Sequence, residues 1–259
     1  MESHIDKVKQ QFSKQSQTFD SYQNEDAKNT FTENVVKAMQ LNGSEKVLEV
    51  AAGTCGFGRK VAPFVSAVVE LDATEAMLQK GKAANEKAGL RNVEYKVGLA
   101  ESIPFEYGEF YIACTRLAFH HLENPETVLK EIRRVLKPSG KIAIIDMIVD
   151  EDEARETANR FETIRDNSHS KTLSKNEFMS LLKNAGMTVL YTAEQNIPIE
   201  FEKWISLTEL ATEDETEIRN AVKADLQGGP KTGLLPFIEN GKTFITHKWL
   251  GFTAQDQSN

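Results

Sequence analysis

The stretch Val47-Leu-Glu-Val-Ala-Ala-Gly-Thr-Cys-Gly-Phe-Gly58 changes character midway. Its first half is a run of apolar residues with one carboxylate, the pattern of a strand buried on both faces. Its second half is a glycine-rich turn, with Gly53, Gly56 and Gly58, that leads into a helix. Such a turn lets a ligand approach the backbone closely, and the helix start presents unpaired N–H groups. Outward from this turn, 46–51, 67–72, 93–97, 110–114 and 141–146 read as five strands separated by helical segments. That alternation predicts an α/β fold with a mainly parallel sheet.

The clearest helix opens at Asn124 (N-cap) and Pro125 and carries Val128, Leu129, Ile132, Val135 and Leu136 on one face. Pro138-Ser139-Gly140 stops it. Ahead of the first strand, two helices are expected. One starts at Ser3, with Ile5, Val8 and Phe12 on one face; the other carries Phe31, Val35 and Met39. Thr74 is placed to cap the helix after the second strand. Beyond residue 150 the expectations are a polar helix to 166, a capping box at Ser174 and Glu177, a strand over 187–192 and a helix over 212–225. A long surface loop over 226–242 and a last strand over 243–252 complete the reading.

Composition narrows the function classes. The 259 residues carry 39 acidic against 31 basic side chains, a net charge of −8. Such a chain has no general attraction to nucleic acid or anionic lipid. Cys55 and Cys114 fit no zinc spacing, so no metal is expected. No apolar run approaches the roughly 18 residues of a membrane span. The N-terminus lacks a signal-peptide pattern, and the cytoplasm is the expected location.

Asp72 ends the second strand beside the glycine-rich turn. A carboxylate there can accept hydrogen bonds from both hydroxyls of a ribose. A dinucleotide site wants G-x-G-x-x-G, whereas this chain has G-x-x-G-x-G, which disfavours an NAD(P)-dependent oxidoreductase.

Four segments taken in order, VLEVAAGTCGFG, VVELDATEAML, VEYKVGLAESIPF and the run from Phe110 to Met147, resemble the class I S-adenosylmethionine-dependent methyltransferases. The nearest likeness is to the small-molecule branch that includes ubiquinone and menaquinone C-methyltransferases. Arg165-Asp-Asn-Ser-His169 resembles an R-D-P-S-H segment of some members, and the tail from Phe244 to Trp249 is similar to theirs. The resemblance implies a Rossmann-like, seven-stranded, mostly parallel sheet with helices on both faces and a helical cap over the active site. It implies one domain over 1–259: an N-terminal lid (1–30), a cofactor-binding core (31–148), then cap elements and the end of the sheet (149–259).

The resemblance also implies roles. The cofactor is S-adenosyl-L-methionine. Glu49 would position its aminoacyl part, and Ala51, Gly53 and Cys55 would line its methionine and ribose. Asp72 would hold the ribose hydroxyls. Ala73 and Met77 would flank the adenine, and Leu99 and Ala100 would meet its edge. Thr115 and Arg116 would face the methionine tail or methyl group. Phe12 and Tyr22 belong to the lid segment. The family usually has Gly where Ala51 and Cys55 stand, and often Asp where Leu99 stands.

Methyl transfer from a sulfonium is an in-line displacement, and alignment can supply about 7–11 kcal/mol of the barrier. A base matters only for an acceptor that carries a proton. His120 and His169 are the catalytic candidates, and Arg165 and Trp204 are candidates to touch the substrate. The expected partner is a small molecule. Leu117-Ala-Phe-His120 lacks the NPPY pattern of amino-methylating DNA enzymes, and no Pro-Cys pair is present. A non-catalytic protein that binds the cofactor or its demethylated product remains an alternative.

Overall fold

Five strands of a central sheet run parallel, and helices after the first, second and fourth and a long loop after the third return the chain to the starting edge for the next strand. The computed structural model describes residues 4–15, 30–150 and 152–257, with Lys14 and Gln15 followed in backbone only. Among the described residues, α1 (His4–Gln15) and α2 (Phe31–Ala38) precede the sheet. The core then alternates β1 (Lys46–Val50), α3 (Gly56–Val61), β2 (Ala67–Asp72), α4 (Glu75–Lys87), β3 (Val93–Val97), β4 (Phe110–Arg116), α5 (Pro125–Val135) and β5 (Leu136–Ile148). After it come α6 (Arg155–Arg165), α7 (Lys175–Asn184), β6 (Met187–Glu200), α8 (Phe201–Ile205), α9 (Thr212–Leu226), β7 (Phe237–Glu239) and β8 (Lys242–Asp256).

The strand order is β3-β2-β1-β4-β5-β8-β6, with β7 paired to β8. β8 runs antiparallel to β5, β6 and β7. The chain winds outward from β1 in one direction and from β4 in the other. Such a reversal leaves a crevice outside the carboxyl ends of these two strands.

Two apolar layers cover the sheet. On one face, Val35 of α2, Phe57 and Val61 of α3, Trp204 of α8 and Ile218 of α9 pack together. On the other, Val128, Leu129 and Ile132 of α5 meet Phe178 and Leu182 of α7. The capping box of α7 closes as its sequence requires: the Glu177 N–H donates to Ser174 Oγ at 3.1 Å, and the Ser174 N–H donates to Glu177 Oε2 at 2.7 Å.

Three expectations need correction. The sheet has eight strands rather than seven, because Asn240-Gly241 turns β7 back onto β8; both residues have positive φ, 50° and 75°. Asn-Gly is the favoured pair for such a hairpin. The segment 226–242 is therefore not one surface loop. Thr232 and Leu234 are buried, and the Thr232 N–H and hydroxyl both donate to Asp225 Oδ2 at 2.8 Å. Thr74 occupies the N-cap of α4 without a side-chain cap, and its N–H donates instead to Asp72 Oδ1 at 2.7 Å. Among the described residues no helix is long and apolar enough to cross a membrane.

α2 reaches the sheet over Gly251 of β8. A Cβ there would lie 2.6 Å from Val35 Cγ2 and 3.0 Å from Phe31 Cζ. Gly251→Ala is expected to lower stability by about 1–3 kcal/mol, the usual cost of overpacking, read from urea unfolding followed by tryptophan fluorescence.

Candidate active site

A cleft of about 1100 Å³, its open mouth included, lies at the carboxyl ends of β1, β2 and β4. Glu49 and the loop after it form the floor. Ala51, Gly53 and Cys55 all take left-handed backbone, with φ of 53°, 52° and 59°. Glycine adopts this conformation freely, but Ala and Cys do so at a cost of about 1 kcal/mol or more each. The loop is held by carboxylates. The Gly58 N–H donates to Glu49 Oε2 at 2.6 Å, and the Gly53 N–H donates to Asp72 Oδ2 at 2.8 Å. Burial pushes the Asp72 carboxyl above its ordinary range, against the pull of these N–H donors.

The opposite wall follows β4. Arg116, Leu117 and Ala118 line it, and then comes a short 3-10 turn, Phe119–His121. The turn is fixed by Asp146 at the end of β5. Its carboxylate accepts the N–H groups of Ala118 (2.9 Å), Phe119 (2.6 Å) and Met147 (2.7 Å). It also meets His120 Nδ1 at 2.6 Å. Burial opposes a charge on His120, but Asp146 outweighs it and holds the imidazole pKa above the ordinary histidine value.

His121 points the other way. It lines the cleft, while His120 does not. Its Nδ1 lies 2.9 Å from the Ser168 carbonyl, which only accepts, so Nδ1 carries the proton and the neutral ring keeps its lone pair on Nε2. Burial and the neighbouring His120 push the His121 pKa down. α1 closes over this wall. His4 Nε2–H donates to the His121 carbonyl at 2.7 Å, and the Phe12 ring meets the His121 ring edge-on at 5.0 Å.

The structure brings Glu49, Ala51, Gly53, Asp72, Ala73, Met77, Leu99, Ala100, Arg116 and Phe12 together around the cleft. Others stand away from it. Cys55 is fully buried and packs beneath α4, so close that a Cβ on Gly81 would lie 2.3 Å from its Sγ. Thr115 is buried in the sheet. His120 is turned to Asp146. His169 lies behind His121 with Nε2 3.3 Å from Asn159 Oδ1, and burial, helped by the charge on His120, lowers its pKa to about 4. Arg165 pairs with Glu162 at 3.0 Å and sits over Trp204, a fully buried core residue. The cleft lining runs only from His4 to Leu122, so the helical elements of 149–259 pack beside it and α1 lies over it. Tyr22 lies outside the described residues. Sequence reasoning missed His4 and Glu101. The period that places Ile5, Val8 and Phe12 on one face also puts His4 within reach of that face.

The methyltransferase-domain family profile matches residues 48–144, from β1 to β5. YafE of Escherichia coli is 32% identical over 143 residues, which span 55% of this chain and 69% of that protein. YcgJ of Bacillus subtilis, an uncharacterized methyltransferase, is 28% identical over 172 residues, spanning 66% of this chain and 68% of that protein. A crystal structure of a candidate methyltransferase from Bacillus halodurans superposes with a TM-score of 0.79 at 28% identity, covering 88% of this chain and 99% of that one. The chain belongs to the class I S-adenosylmethionine-dependent methyltransferases.

In this methyltransferase the glycine-rich loop keeps its left-handed turns although two of them carry side chains. Ala51→Gly removes the strain at a half-buried position without emptying the core. The expected result is a gain of up to about 1 kcal/mol, or about 2–4 °C in melting temperature. A differential scanning calorimetry trace that moves the other way would refute the strain at Ala51.

Proposed function

We propose that this methyltransferase transfers a methyl group to a small, largely apolar acceptor that enters beneath α1. The observation that carries this reading is the Asp72 carboxylate at the cleft floor. It accepts the backbone N–H groups of Gly53 and Thr74 and the Thr74 side chain, and it keeps lone-pair capacity for a ligand hydroxyl. S-adenosylmethionine, when bound, supplies the electrophilic methyl group.

The residues present fit that cofactor. Asp72 takes the ribose hydroxyls. Glu49 attracts the ammonium of the aminoacyl part, and Arg116 its carboxylate. Met77 and Leu99 offer apolar surface to the adenine. Leu99 cannot accept from the adenine amino group through its side chain, but Glu101, two residues on, brings a carboxylate to the same wall. The acceptor meets Ile5, Val8, Phe12 and Leu122, which are apolar or aromatic. α1 excludes water from this side, and alignment of donor and acceptor is the main catalytic effect.

His121 is assigned to the acceptor rather than His120. A ring held neutral by burial and by a charged neighbour is a steady hydrogen-bond acceptor at Nε2. It is a weak base, so it orients a hydroxyl or amine of the acceptor and does not retain the proton. His169, Arg165 and Trp204 act from behind this wall, as support for the His121 segment.

Two measurements test the reading. Calorimetric titration with S-adenosylmethionine and S-adenosylhomocysteine, with NAD(H) and NADP(H) as controls, is expected to show binding of the adenosyl ligands alone. Asp72→Ala should weaken it by about 100-fold, the effect of losing two hydrogen bonds to a charged group. His121→Phe should leave cofactor affinity within about twofold while turnover of a protic acceptor falls about tenfold, as expected for one lost hydrogen bond. Equal loss of binding and turnover in that variant would return His121 to a structural role.

A further inference from the structure

Glu70 is fully buried and takes no part in the cleft wall. It stands beside Glu49 in the β1–β2 register, with Tyr95 beyond it on β3 and Cys114 beyond Glu49 on β4. Register partners in a parallel sheet project to the same face. The four side chains therefore form one row, and that row faces α3.

No side chain of the row donates a hydrogen bond to Glu70. With both glutamates ionised, neither Glu70 oxygen has a hydrogen-bond partner among the described residues. The two carboxyl groups also crowd one backbone atom. A Cβ built on Gly58 would lie 2.2 Å from Glu70 Oε1 and 2.7 Å from Glu49 Oε2. Two buried carboxylates in contact are disfavoured by desolvation and by repulsion, and one proton removes both penalties. A Glu70 carboxylic acid donates its O–H to Glu49, which already accepts the Gly58 N–H.

We propose that Glu49 and Glu70 share one proton across β1 and β2, and that the cationic cofactor displaces it on binding. This rests on the reading of the cleft as an S-adenosylmethionine site.

The groups around the pair set where the proton sits. Arg59 faces it from α3, held by Asn85 Oδ1 and the Thr54 carbonyl, both at 2.7 Å. Arg116 faces Glu49 from β4. Asp72 lies at the end of β2, and the Cys55 and Cys114 thiols are kept neutral by burial. Burial and the charge on Glu49 push Glu70 well above the ordinary carboxyl range. Burial also raises Glu49, but Glu70, the Gly58 N–H and Arg116 oppose the rise. The proton therefore belongs to Glu70, and the negative charge to Glu49 at the cleft wall.

The sign of the coupling follows from Coulomb's law. A cation beside Glu49 stabilises the doubly ionised pair. The Glu70 O–H bond breaks, its electron pair stays on the carboxylate, and the proton leaves to buffer. Affinity for a cationic ligand then rises with pH through the titration of the pair and levels off above it. S-adenosylhomocysteine lacks the sulfonium charge, so it displaces less of the proton and gains less. Glu70 is thus a positioning residue that also biases the site toward the charged donor and away from the spent product.

The test is calorimetric titration of both adenosyl ligands from about pH 5 to about pH 9, which brackets ordinary and strongly raised carboxyl values. Each titration is repeated in buffers of different ionisation heat. The wild-type protein is expected to release protons on binding S-adenosylmethionine, with affinity climbing by up to about tenfold per pH unit, and to release fewer with S-adenosylhomocysteine. Glu70→Gln, which keeps a donor toward Glu49, should release fewer protons than the wild type on binding S-adenosylmethionine and give a shallower pH profile. Should that variant fail to fold, Glu70→Met is expected to give the same reduction. Wild-type heats equal in all buffers would overturn the proposal and leave the cofactor reading standing, as would a Glu70→Gln slope equal to that of the wild type. Failure of either adenosyl ligand to bind would overturn the cofactor reading and the displacement with it. Infrared spectra of the ligand-free protein read the shared proton separately. A carboxylic-acid band at neutral pH that Glu70→Gln removes is expected, and its absence from the wild type would overturn the sharing.

Discussion

Three carboxylates at the ends of parallel strands hold the cleft in shape. A parallel strand ends where its chain turns away, and the N–H groups of the next turn lose their ladder partners. Each such group left buried and unpaired costs about 1–3 kcal/mol. Glu49 on β1 takes the Gly58 N–H, Asp72 on β2 takes those of Gly53 and Thr74, and Asp146 on β5 takes those of Ala118, Phe119 and Met147. The first two fix the glycine-rich loop, and the third fixes the opposite wall. Geometry and charge are thereby linked, because the anions that satisfy the loops also give the floor its negative potential.

Gly58 shows how tightly the floor is built. Its missing side chain leaves room for two carboxyl groups at once, and its N–H orients one of them. Ala51 and Cys55 show a different compromise. The loop keeps the left-handed turns that glycine would favour, and the cost of two side chains there is borne by the packing around them. Cys55 offsets part of this cost by filling space beneath α4, which approaches closely at Gly81.

Much of the core was legible in the sequence because local pattern and tertiary role agree there. β2 and β3 have the bounds that their sequence patterns predict, and Asp72 ends β2 as its position suggests. The long strands β6 and β8 run past their expected ends. In the outer stretch of β6 only Ile197 and Ile199 are buried, too sparse an apolar pattern to read as a strand, and pairing with β8 continues through it. The Asn240-Gly241 hairpin carried a readable turn signal inside a stretch whose other glycines and prolines suggested only a loop. The histidines were beyond reach. His120 and His121 are neighbours in sequence, and which one faces the cleft depends on Asp146, a full helix and strand away. Arg165 and Trp204 likewise look like pocket residues until Glu162 and the apolar layer of α2, α3 and α9 claim them.

The same carboxylate that positions the wall also sets its protonation. Asp146 stabilises a charge on His120, and that charge, at a ring separation of 4.2 Å, disfavours a second one on His121. Burial acts in the same direction on His121 and His169. A charge on His120 is thus compensated by a carboxylate, while the remaining imidazoles favour the neutral form. His121 then presents an uncharged face to the cleft, while the carboxyl groups of Glu49 and Asp72 lie across it. Separation of the neutral and negative surfaces within one crevice follows from where the strand-end carboxylates fall.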